Sequence, residues 1–210
     1  MNWLRRIFGR EESSSAPERK GEPEPMEGPA PGVSEIFSSA PEDRNWSVLD
    51  LGPGNDHNLR TYNRCARRVR FSSFLQTLEG EGWGAALSTI PAPPEPAFDL
   101  VFAWDVLDRL PAEVRPQLLA RLLDVSSPRA HLHTVWWAPE EEVTYPLRFS
   151  LTEIDRIRSE QVGPPQRLRA PLLPTEVGRL LAPFRVKRSF TLRRGLREYV
   201  AVREPDAPGS

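Results

Sequence analysis

From Asn45 to Arg203 the chain alternates two rhythms of apolar residues: short runs that are almost wholly apolar, and longer stretches where apolar residues return every three or four positions. The first rhythm marks strands buried on both faces, and the second marks helices with one apolar stripe. Ser47–Leu51 is predicted as the first strand. His57–Arg68 follows as a helix with Leu59, Tyr62, Cys65 and Ala66 on one side, and Val69–Leu75 as the second strand. Residues 76–97 are poorly patterned, with a short helix, a weak strand over Ala85–Ile90 and a loop over the prolines of 91–96. Phe98–Asp105 is the clearest strand. The helix Ala112–Val125 comes next, its buried stripe formed by Val114, Leu118, Leu119, Leu122 and Leu123 and its start set by Pro116. Ala130–Trp137 is a further strand. Residues 138–173 are a polar, proline-punctuated insertion with a helix expected over Thr152–Glu160. Thr175–Leu181 is a helix capped by Thr175 and ended by Pro183. Arg185–Leu192 and Leu196–Arg203, joined across Arg193-Arg194-Gly195, make a hairpin, so the last strand runs antiparallel to its neighbour. Alternating strands and helices of this kind predict an α/β sheet, mostly parallel, with an antiparallel C-terminal hairpin.

Before this domain the pattern changes. Residues 11–44 are rich in Glu, Ser, Pro and Gly and poor in large apolar side chains, which predicts a disordered linker. Residues 1–10 place Trp3, Leu4, Ile7 and Phe8 on one helical face, with Arg5, Arg6 and Arg10 elsewhere. Such a segment suits docking on an anionic membrane surface or on a partner protein. A frayed tail, or a helix folded back on its own domain, is the alternative. The domain is expected over 45–204, with a loose tail over 205–210.

The segment most suggestive of chemistry is Val48-Leu49-Asp50-Leu51-Gly52-Pro53-Gly54-Asn55. A strand runs into an acid and then into two glycines, which lets the backbone turn tightly and leaves the next helix's amides free to face a ligand. Together with Phe98-Asp99-Leu100-Val101 through Asp105 and the terminal hairpin, it resembles the class I S-adenosylmethionine-dependent methyltransferases. It is also similar to small bacterial methyltransferase-like proteins with a Trp-Asp pair ending the fourth strand. The resemblance covers residues 45–203 and implies a Rossmann-like, seven-stranded sheet. It also implies S-adenosylmethionine as cofactor and Asp50, Gly52, Pro53, Gly54, Asn55, Trp104 and Asp105 as the residues around it. Gly52 and Gly54 would let the loop approach the methionine part. Asp50 would orient the loop or accept from the cofactor's amino group, and Trp104 and Asp105 would border the methyl-transfer site. Methyl transfer asks mainly for positioning and desolvation, so the absence of an obvious catalytic residue does not argue against an enzyme.

The chain departs from that pattern in two places. Asp56 stands where many relatives have a small residue; its carboxylate would either face the cofactor's own or favour the first turn of the following helix. The stretch Phe71-Ser72-Ser73-Phe74 offers no acid to grip the ribose diol, and a serine's neutral bond is weaker. Three functions therefore stay open: a methyltransferase of unknown acceptor, a non-catalytic relative that binds or scaffolds through its N-terminal segment, and another nucleotide-handling enzyme such as a dinucleotide-dependent one. The end hairpin and the missing acid argue against the third.

Composition narrows the classes. A net charge of -1 gives no basic excess for nucleic acid. The single cysteine, Cys65, excludes an internal disulfide framework, fits a reducing cytoplasm and reads as a packed residue. No apolar run approaches the ~20 residues of a bilayer span, and Arg5 and Arg6 interrupt any secretory pattern. His131 and His133 share a strand face without a third ligand, so no metal site is expected. Trp136 and Trp137 read as core filling at the sheet end, Glu140, Glu141 and Glu142 as a solvated turn, and Arg193, Arg194 and Arg197 as exposed turn arginines.

Overall fold

The structure, a computed structural model, describes residues 25–40, 45–92, 97–141, 143–167, 172–182 and 184–204. The N-terminal segment 1–10, most of the expected linker and the tail 205–210 lie outside these residues. A parallel core is laid down by β2 (Trp46–Asp50), β3 (Ala66–Phe71), β4 (Phe98–Trp104) and β5 (Ser126–Trp137). The hairpin β10 (Phe184–Thr191) and β11 (Leu196–Arg203) adds to β5 antiparallel, in the order β10-β11-β5-β4-β2-β3. The expected α/β sheet with an antiparallel end is therefore present. It has six strands rather than seven among the described residues. The weak strand expected over Ala85–Ile90 is a helix instead. Gly82, at φ 93°, ends α3 (Phe74–Glu81) and lets α4 (Trp83–Ser88) start, with Ala86 turned into the core. The helix expected over His57–Arg68 stops early, as α2 (Asp56–Tyr62), and the chain is already extended at Ala66.

One face of the sheet is covered by α3, α4, α6 (Arg115–Val125) and α7 (Pro174–Leu180), which bury Phe74, Leu78, Leu118, Leu122 and Val177 against Leu49, Val101 and Leu132. Helix α7 is capped differently from the expectation. It begins at Pro174, and the carboxylate of Glu176, rather than Thr175, receives the Leu173 amide at 2.7 Å.

The other face carries α2, a helix α1 (Pro31–Ser38) and a small antiparallel sheet in the order β1-β8-β7, built from β1 (Met26–Pro29), β7 (Leu147–Glu153) and β8 (Arg156–Gln161). Two expectations fail here. Residues 26–38 are not linker. Ala30, Val33 and Ile36 are fully buried, and the Gly32 and Val33 amides donate to the buried Glu198 carboxylate of β11 at 2.8 and 3.0 Å. Three apolar residues and one distant carboxylate hold the segment, a signal that local composition dilutes. The Thr152–Glu160 helix is in fact a hairpin turning at residues 154–155, with Leu147, Phe149 and Leu151 buried on alternate positions and Leu151 paired with Ile157. The short β6 (Val143–Thr144) and β9 (Gln166–Arg167) pair beside it. No helix among the described residues is long and apolar enough to cross a membrane.

Candidate functional site

β2 and β4 lie side by side and parallel, but the chain leaves β2 towards β3 and leaves β4 towards β5. Their carboxyl ends therefore part at the point where open α/β sheets bind ligands. A pocket of about 360 Å³ opens there, within the range of small-molecule sites. Its floor is Leu51, Gly52, Pro53 and Trp104. One wall is the α3 face with Ser73, Leu75, Gln76 and Glu79; a second is Asp105, Val106 and Arg109. The small sheet roofs it with Leu147, Arg148 and Phe149.

Asp50 sits fully buried beneath this floor and accepts four hydrogen bonds. Gly52 N (2.7 Å) and Trp104 Nε1 (2.6 Å) donate to one oxygen; Asn58 Nδ2 (2.9 Å) and Tyr62 Oη (2.7 Å) donate to the other. Burial raises its pKa while these donors oppose the rise. With every partner internal, Asp50 shapes the turn and leaves no lone pair aimed at the pocket. Asn58 extends the network by receiving the Leu151 amide of the small sheet at 2.7 Å.

The seven predicted site residues separate into three groups. Gly52, Pro53, Trp104 and Asp105 line the pocket, and Asp50 supports it from below. Gly54 and Asn55 are outside its lining: a Cβ on Gly54 would meet the Phe71 ring at ordinary contact distance, and Asn55 caps α2 by accepting from Asn58 N at 2.8 Å. A Cβ on Gly52 would stand 3.0 Å from Asp50 Oδ1 and 3.4 Å from the Trp104 indole, so the protein's own Asp50–Trp104 pair requires that glycine. Asp56 is exposed in the first turn of α2, where negative charge suits the helix, and does not face the pocket. Ser72 is buried with its hydroxyl unpartnered, while Ser73, at φ 50°, reaches the pocket wall.

Trp104 is strained at φ 45°, a region bulky residues rarely enter. Its ring lies between Phe102 and Phe149, stacked on the latter at 5.5 Å with 6° between planes. Strain that persists at a pocket floor, held by a 2.6 Å bond and two rings, is the mark of a position set by function or by the whole fold.

Asp105 is 2% exposed and lines the pocket, and its Oδ2 has no hydrogen-bond partner. Burial raises its pKa, opposed by the Arg109 guanidinium. Asp108, one turn on in α5 (Val106–Arg109), is pushed up to about 7, by burial first and also by the neighbouring Asp105. Its Oδ2 accepts from Trp137 N at 3.0 Å. At the rim, Arg109 pairs with Glu79 at 3.3 Å, and Arg148 stands exposed on the roof. Gln76, Glu79, Arg109 and Arg148 had no signal in the sequence, because they come from three elements whose meeting only the fold sets.

The other candidates lie elsewhere. His133 is fully buried and shares a 2.8 Å bond with Glu198, and His131 packs beside Trp46. Among the described residues no three His, Cys, Asp or Glu side chains are grouped to hold a metal. Trp136 is core under the Arg115 guanidinium, and Trp137 borders a second cavity of about 340 Å³. Cys65 is buried between α2 and β3, and burial pushes its thiol to about 11, which suits an inert packed residue.

Among the groups around the pocket, the exposed Arg148 suits a carboxylate, Ser73 and Gln76 suit hydroxyls, and Leu51 and Leu75 offer apolar surface. No protein-family model matches the sequence, and no curated protein matches it. Solved structures do. An S-adenosylmethionine-dependent methyltransferase from Mesorhizobium loti superposes with a TM-score of 0.51 at 14% identity, over 80% of this chain and 96% of that one. The 1,6-didemethyltoxoflavin-N1-methyltransferase of Burkholderia thailandensis, solved with 1,6-didemethyltoxoflavin and S-adenosylhomocysteine, superposes with a TM-score of 0.50 at 17% identity, over 83% and 77%. The chain has the class I methyltransferase-like fold.

Proposed function

We propose that the pocket at the ends of β2 and β4 holds S-adenosylmethionine and that the chain transfers its methyl group to a small acceptor. The single observation behind this reading is that pocket: a cavity of about 360 Å³ at the sheet's switch point, floored by the Gly52–Pro53 turn and holding a buried carboxyl oxygen without a partner. Gly52, Pro53, Ser73 and Gln76 would hold the cofactor, with Arg148 for its carboxylate. When bound, it supplies a methyl group made electrophilic by the sulfonium it sits on. The protein's part is positioning and exclusion of water. Leu147 and Phe149 roof the site, and Trp104 and Asp105 close its base at the end of β4. Ser73 and Gln76 offer the ribose only neutral partners, so affinity is expected to be ten- to a hundred-fold below that of a site with a carboxylate there.

Thermal denaturation checks this reading. S-adenosylhomocysteine at about a hundred times its dissociation constant should stabilise the chain by about 2.7 kcal/mol, a rise of several degrees in Tm. Arg148→Ala should shrink the rise. An unchanged Tm at millimolar ligand argues instead for a non-catalytic relative, a reading that the saturated Asp50 and the acid-free Ser72–Ser73 stretch favour.

A further inference from the structure

Two further cavities, of about 220 and 340 Å³, lie between the small sheet and the turn that joins β10 to β11. Met26, Ser159 and Leu196 line both, so the two make one groove. Phe149, Ile157 and Leu192 wall its smaller end, and Trp137, Tyr145 and Leu147 its larger end. Val143, a large apolar side chain left 50% exposed, stands at the larger end. Apolar surface gathered in this way favours an apolar occupant. The described chain begins against the groove, since Met26 is the first residue of β1. Whatever precedes Met26 is therefore tethered at the groove itself. Residues 11–25 are fifteen in number, and a flexible chain of that length spans about 20 Å on average. The ten residues before them are about 15 Å long as a helix. They carry Trp3, Leu4, Ile7 and Phe8 at the spacing of a groove-seated helix, with Arg5, Arg6 and Arg10 off that face. The tether adds a charge match. Residues 11–24 hold five glutamates against Arg19 and Lys20, and the groove's rim carries the exposed Arg193 and Arg194.

We infer that residues 1–10 of this chain seat in the groove as a helix, with Trp3, Leu4, Ile7 and Phe8 against its apolar walls. A segment too short to hold as a free helix gains its stability from that packing. The tether holds it at a millimolar effective concentration. An intrinsic dissociation constant on the order of 100 μM then fills the groove in roughly nine molecules of ten. Leu147 and Phe149 also roof the pocket at the ends of β2 and β4, so the seated segment and that pocket share a wall. Seating does not depend on what that pocket binds.

The test is paramagnetic broadening of amide signals in the full chain. A nitroxide is attached at Asn2→Cys, the native Cys65 being buried and out of its reach. The amides of Ser159 and Leu192 in the groove are expected to broaden strongly, and that of Arg121 on α6, across the sheet, far less. Two variants keep the tether and remove the seating. Trp3→Ser combined with Ile7→Ser breaks the apolar face and touches none of the described residues. Gly28→Phe fills the groove, because a Cβ at Gly28 meets nothing within 4 Å. Each should cut the broadening at Ser159 and Leu192 by at least about fivefold, as the loss of that apolar burial requires. Broadening that is absent, that is even over the surface, or that survives the Trp3 and Ile7 changes overturns the inference. So does groove broadening on unlabelled chains mixed with labelled ones, which makes a second copy the occupant. A groove left unbroadened while the full chain binds phosphatidylserine vesicles overturns it too, and places the segment on a membrane.

Discussion

Asp50 decides the local geometry of the site. Its two oxygens gather the Gly52 amide, the Trp104 indole, Asn58 and Tyr62, so one side chain fixes the turn after β2, the floor of the pocket and the start of α2. Asp50→Ala strands four buried donors and is expected to cost about 3–5 kcal/mol in chemical denaturation. Asp50→Asn, which still accepts, should cost less. Asp108 makes a pH signature. Its folded pKa of about 7 stands above the ordinary 3.8, so across that interval the folded chain holds a proton that the unfolded chain has released. Its contribution to stability is complete below about 4 and is lost as pH rises through about 7. Burial acts in the same direction on Asp50 and Asp105. Urea denaturation at pH 5 and pH 8 should show the chain more stable at pH 5, and Asp108→Asn should flatten the difference. The acid and glycines of the first loop were readable in the sequence because they are contiguous. The role of Asp50 as an internal acceptor was not, because its partners lie 2, 8, 12 and 54 residues away.

Among the elements, α1 carries the clearest consequence. It is bound to the domain by Glu198, which receives the Gly32 and Val33 amides and shares His133, all in the dry interior. Gly32 is required there: a Cβ would meet the Glu198 carboxyl carbon at 2.6 Å, and that side chain is fully buried and tied. Gly32→Ala is expected to destabilise by about 1–3 kcal/mol, seen as a lower denaturation midpoint with an unchanged slope. Removing residues 1–44 takes away Val33 and Ile36 and uncovers the apolar surface they meet. It should lower Tm by at least about 6 °C relative to a chain lacking only 1–24, which keeps every contact named above. The strong periodic elements, β4 with its continuous apolar run and α6 with its Leu stripe, were legible in the sequence because local pattern and burial agree. The segment 26–38 was not, since its few buried residues are held by a partner more than 160 residues away. The β7–β8 hairpin carries its alternation in Leu147, Phe149 and Leu151, but the prolines and charges around it hid a period of two.

At the scale of the whole molecule, the switch-point pocket is covered by a small sheet whose Leu147, Phe149, Leu151 and Ile157 also close the core on the second face of the main sheet. The β1-β8-β7 layer reaches α2 through Asn58 and the pocket floor through the Phe149–Trp104 stack, so the cover and the Asp50 network are one connected unit. That unit is why the fold class followed from strand order and glycine spacing while the site did not. Glu79, Arg109 and Arg148 converge only after three elements have packed. The pocket is proposed to receive the nucleoside cofactor, and calorimetric titration of the full chain with S-adenosylhomocysteine tests it. One site per chain with a dissociation constant of about 10–100 μM, weakened at least about tenfold by Arg148→Ala, which changes an exposed side chain of the pocket wall, is the expected result. No heat of binding at millimolar ligand, or equal affinity in that variant, contradicts it.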